Sequence, residues 1–157
     1  MGSAADNNQS QVVPLKDSVQ FALEEARMII PGIQALFGFQ LMAVFNEGFE
    51  TALEPAQRAA HLLALLLVTI ACALVMAPAA YHRQAEQGCV SVGLLKLASR
   101  LIGLGLMPLM LGISLDVYVV AYAVTQHNAL SAGLGALSFA VFGGLWFALP
   151  RLSRDRH

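Results

Sequence analysis

The chain has 157 residues, 57% of them apolar and only 12% charged, with a mean hydropathy of +0.65. An ordinary soluble domain is about a quarter charged, so one membrane domain is the expected class. A formal net charge of −1 excludes the broad basic field that nucleic-acid binding needs.

In chain order, residues 1–16 read as a small, polar, disordered tail. An all-α domain of four transmembrane helices is expected over residues 17–150, at about 18–46, 55–83, 92–124 and 129–149. A basic tail, residues 151–157, follows. The first span, MIIPGIQALFGFQLMAVF, is the shortest and carries Gln34 and Gln40. Its upstream flank is of mixed charge and no small-x-small site follows it, so it reads as a retained helix, not a signal peptide. The short turn from Thr125 to Asn128 makes the third and fourth helices antiparallel neighbours. Pro150 is expected to stop the fourth.

Lys16, Arg27, Arg83, Lys96, Arg100, Arg151, Arg154 and Arg156 all fall on one set of flanks. The other set holds only Arg58, beside Glu47, Glu50 and Glu54. That bias predicts both termini on the cytoplasmic side. Cys72 and Cys89 match no zinc or redox spacing and read as free thiols.

Asp116 is the sharpest chemical feature, set inside LGISLDVYVVAYAV. Eight apolar or aromatic residues follow it, which places it about 12 Å inside the helix end. A carboxylate at that depth needs a partner and is a functional candidate. Arg100 is too distant along the same helix, about 24 Å away. The candidate partners are Gln40, Arg58, His61 and Tyr122. Gln34 shares a helical face with Arg27, Pro31 and Gly38, a polar stripe that serves either as a lining or as interhelical glue.

The stretch APAAYHRQ closes the second span. Tyr81 and Arg83 suit an interface anchor, while His82 adds a group that titrates near neutral pH. Pro31, Pro78 and Pro108 put a proline in each of three helices, where kinks and freed carbonyls are expected. Ala132, Ala136, Ala140, Gly144 and Ala148 repeat every four residues in the fourth helix. This small-residue ridge suits close helix packing, within the protomer or between copies.

Enzyme activity is not expected. The sequence has no phosphate-binding glycine loop, no H-E-x-x-H and no G-x-S-x-G. Its histidines (His61, His82, His127 and His157) fall at alternating helix ends, so neither a metal site nor a cofactor is anticipated.

Together the motifs resemble a family of small bacterial inner-membrane proteins defined only as a domain of unknown function. The matching elements are E-x-R (Glu25, Arg27), G-x-Q-x-L-F-x-F from Gly32, L-x-P-x-Q-R from Leu53, A-P-x-A-Y-H-R from Ala77, S-R-L from Ser99, L-D-V from Leu115 and the closing W-F-A-L-P. The resemblance covers about residues 21–150 and implies four helices in a bacterial inner membrane, with no established activity. The loop from Gln84 to Gly93 departs from the arginine-rich pattern of that family.

Two functions follow from these residues. In one, a homo-oligomer in the lipid bilayer conducts or exchanges a small cation, H⁺ or Na⁺. Its path would use Asp116, Gln34, His82, Arg27 and Arg100, with Asp116, Gln34 and Pro108 around a shared water-accessible cavity or a symmetry axis lined by the first and third helices. In the other, the chain is a non-transporting assembly or partner-binding module whose buried polar groups are structural, with Asp116 in a dry contact to an arginine, histidine or amide and no continuous path.

Overall fold

The structure, a computed structural model, describes residues 15–85 and 92–154. Cys89 and most of the Gln84–Gly93 loop lie outside the described residues. Among the described residues every regular element is helical: α1 (Leu15–Val44), α2 (Gly48–Ala52), α3 (Pro55–Ala85), α4 (Val92–Thr125), α5 (Asn128–Gly143), a π-helical turn (Gly144–Ala148) and α6 (Leu149–Arg154). Four spans are long and apolar enough to cross a membrane: Arg27–Val44, Pro55–Tyr81, Gly93–Thr125 and Asn128–Arg151. Helices satisfy their own backbone groups, which hydrocarbon cannot do.

The antiparallel α3–α4 pair is the centre of the fold. α3 buries Gln57, His61, Ala64, Val68, Ala71, Val75 and Pro78. Those positions alternate by four and three, the seam of a left-handed helix pair. α4 answers with Leu94, Ala98, Ile102, Gly105, Leu109, Gly112, Val119 and Tyr122. Gly112 sets the closest approach. A Cβ there would lie 2.9 Å from Val68 Cγ2 and 3.2 Å from the Ala64 carbonyl oxygen. Gly105 repeats the contact one heptad away, 3.0 Å from Val75 Cγ2. Without these glycines the backbones would have to move apart.

α1 covers the pair through Ile33 and Gln40, with Ile29, Ile30, Leu36 and Phe37 packed alongside. α5 docks on α4 through Ser131 and Gly135. Its ridge of Ala132, Ala136, Ala140, Gly144 and Ala148 is exposed, so that ridge packs nothing inside the protomer.

Helix runs on beyond Pro150, to Arg154. The expected stop fails because the ladder widens first, with the Leu149 N–H donating to the Gly144 carbonyl. Pro150 then falls in the first turn of α6, where a missing N–H costs little. Pro31, Pro78 and Pro108 likewise lie inside helices that continue through them.

Candidate functional site

The polar chemistry gathers where α1, α2, α3 and the α4–α5 turn meet, the end that also carries Glu47, Glu50 and Glu54. We call this the acidic end. The opposite end carries Arg83, Lys96, Arg100 and Arg151.

Asp116 takes a hydrogen bond on Oδ2 from Gln40 Nε2 at 2.5 Å. Its Oδ1 lies 3.5 Å from His61 Nδ1. The three residues come from α1, α3 and α4 and sit where α3 and α4 keep their heptad seam, so packing holds them together. Gln40 is 3% exposed and His61 4%.

The histidine tautomer follows from its other contact. His61 Nε2 is 3.0 Å from the Gln40 main-chain carbonyl oxygen. A carbonyl only accepts, so Nε2 carries a proton and donates it. Nδ1 then faces a carboxylate oxygen. Two bare acceptors would repel, so the contact holds a proton, on Asp116 or on His61. Gln40 spends its main-chain oxygen on His61 and its side-chain amide on Asp116, which leaves its Oε1 buried without a hydrogen-bond partner.

Beside the cluster lies a cavity of about 450 Å³. Its walls are mostly apolar, including Leu36, Phe39, Ala43, Phe49, Leu53 and Val119. Buried Gln40 and His61 and half-buried Asp116 are among its polar members. Phe39 and Val120 line it and are 71% and 62% exposed, so it opens sideways between α1 and α4.

α2 closes the cavity toward the acidic end. Its Phe49 ring meets the His61 ring edge-on at 5.2 Å between centroids. Arg58 holds α2 by donating to the Leu53 and Glu50 carbonyl oxygens at 3.0 and 2.6 Å. Gln126, at a positive φ of 55°, donates to the Ala52 carbonyl at 2.9 Å. Thr51 turns back to the Gly48 carbonyl.

Of the candidate partners for Asp116, the structure brings Gln40 and His61 to the carboxyl group. Arg58 is taken up by backbone carbonyls, as a cation beyond a helix C-terminus should be. Tyr122 is buried near Glu54.

The other candidate path residues lie elsewhere. Gln34, Arg27, Pro31 and Gly38 are all exposed on α1, on a face that nothing in the protomer covers. Gln34 and Pro108 do not line the cavity with Asp116. Arg100 is exposed toward the basic end, and His82 belongs to the last turns of α3, with its side chain outside the described residues.

One polar relay was not anticipated. Gln57 Nε2 donates to the Tyr118 hydroxyl at 2.9 Å, and that hydroxyl donates to Asn128 Oδ1 at 2.9 Å. It ties α3, α4 and α5 together. The signal for it was the four-residue step from Gln57 to His61, the first step of the α3 seam.

Fold and cluster define a polytopic four-helix membrane protein with an acid–histidine pair between its helices. The chain belongs to DUF6328, a family of unknown function whose model matches residues 17–150. No curated protein and no solved structure matches it.

Proposed function

We propose that this chain is a bacterial inner-membrane protein that exchanges a small cation, H⁺ in the first place, at the Asp116–His61 pair. The observation that carries this reading is the committed Nε2 of His61. It forces the Nδ1–Oδ1 contact to hold a proton, one that a change of surroundings can release or return. Na⁺ is the alternative ion, for which the same carboxylate is a suitable oxygen donor.

The lysine and arginine bias supports both termini in the cytoplasm, so the acidic end and its cavity face outward. A homo-oligomer fits two exposed features. The α5 ridge lets another helix approach closely, and the Gln34 amide on α1 is costly against lipid. A neighbouring copy over that stripe would complete a path from Asp116 toward Arg27, Arg100 and His82. Proton and sodium flux into liposomes tests the reading. Wild type is expected to exceed protein-free liposomes and Asp116→Asn to fall to their level. Wild-type flux no greater than that of empty liposomes would sink it.

A second reading has its own support. Between His61 and Pro78 the α3 seam is wholly apolar, so no polar route descends from the pair within the α3–α4 interface. A non-transporting assembly module needs no route. It predicts oligomers in detergent, abolished by Ala136→Leu with Ala140→Leu, and no flux.

A further inference from the structure

The cavity is far larger than a proton or sodium site requires. At about 450 Å³ it would hold more than ten waters at their bulk share of roughly 30 Å³ each. Its walls offer a hydrated ion little to replace its water shell. They suit the apolar body of an organic molecule entering from the membrane through the gap by Phe39 and Val120.

The polar groups fix the charge of that molecule. Gln40 Oε1 is an acceptor with no donor. Asp116 Oδ1 and His61 Nδ1 are acceptors that hold a proton between them. No lysine or arginine lines the cavity. Arg58, the nearest cation along α3, is committed to backbone carbonyls. Elsewhere at this end the titratable groups include Glu47 just before α2, Glu50 on α2, Glu54 beside Tyr122, Tyr118 in the Gln57 relay and His127 in the α4–α5 turn. The carboxylates among them add negative potential, so an anion is disfavoured. Phe39 and Phe49 are part of the same apolar lining.

We propose that the cavity binds a lipophilic organic ammonium ion in exchange for the proton shared by Asp116 and His61. A primary ammonium brings N–H donors for two acceptors at once, Asp116 Oδ1 and His61 Nδ1. The proton leaves as the ammonium arrives, so the charge of the site is unchanged. This inference rests on the proton-exchange reading and names the substrate class of that same site.

The test is equilibrium binding of phenethylammonium to the purified full chain in detergent, with proton release followed by a pH indicator. Saturable binding with release of about one proton per bound molecule is expected. Asp116→Asn should weaken it at least about tenfold. The N-trimethyl analogue, which has no N–H, should bind more weakly, and 3-phenylpropanoate should not bind. Val120→Trp, at the exposed mouth of the cavity, should weaken phenethylammonium binding at least about tenfold. Its exposed position makes it the usable variant if Asp116→Asn does not fold. Absence of saturable binding, equal binding of 3-phenylpropanoate, or unchanged binding in Val120→Trp would each overturn the ammonium site. If wild-type flux persists in those cases, proton exchange stands without it.

Discussion

The two halves of the α3–α4 seam are built on one spacing and opposite chemistry. Toward the basic end the seam is Ala64, Val68, Ala71 and Val75 against Gly105, Leu109 and Gly112, held by close contact alone. Toward the acidic end the same spacing delivers Gln57 and His61 from α3, facing Tyr118 and Asp116. A dry seam needs nothing polar to hold a helix pair in a membrane, as its glycines show. The polar half adds three interacting side chains and a cavity beside them.

The largest expected effect comes from breaking the polar half by one partner. His61→Leu leaves the Asp116 carboxyl without its proton-sharing partner and should cost about 3–5 kcal/mol, read from unfolding in mixed micelles. Adding Asp116→Leu should recover much of that loss, because the pair is then replaced by apolar packing. If the double variant is no more stable than the single, the pair is cohesive, not functional.

Next in size is the dry half. Gly112→Val puts side-chain atoms where even a Cβ sits 2.9 Å from Val68 Cγ2. The strain should cost about 1–3 kcal/mol in the same assay. Proton release in the phenethylammonium assay should change little if the halves are independent.

Tyr118→Phe is a smaller change. It removes the hydroxyl linking Gln57 and Asn128 and should cost about 0.5–1.5 kcal/mol, since the Gln57 amide loses its acceptor. Gly133→Ala is the control. Its Cβ would meet nothing within 4 Å, so the change should cost nothing and stabilise α5 by up to about 1 kcal/mol.

Much of this fold could be read from the sequence, because spans of apolar residues and the Thr125–Asn128 turn leave few alternatives. Asp116 stood out for the same reason: a carboxylate among LGISLDVYVV needs a partner, whether as a site or as a structural pair. Choosing between its partners was harder. Arg58 and His61 are three residues apart on one helical face, and the free carbonyls at the end of α2, a helix the sequence did not announce, take the arginine. The direction of the Gln34 stripe was not legible either. In a membrane chain the lipid-facing surface is as apolar as the core, so periodicity finds a face without saying what it meets. The α5 ridge shows the same ambiguity. Its spacing announced close packing, and only the structure turns it outward.

The central claim is that His61 and Asp116 share one exchangeable proton while Nε2 stays committed to the Gln40 carbonyl. Nitrogen NMR of ring-labelled His61, in wild type and Asp116→Asn, tests it directly. The account predicts Nε2 protonated in both proteins and a Nδ1 signal that changes when Asp116 is replaced. A bare Nε2, or identical Nδ1 signals in both proteins, would contradict it.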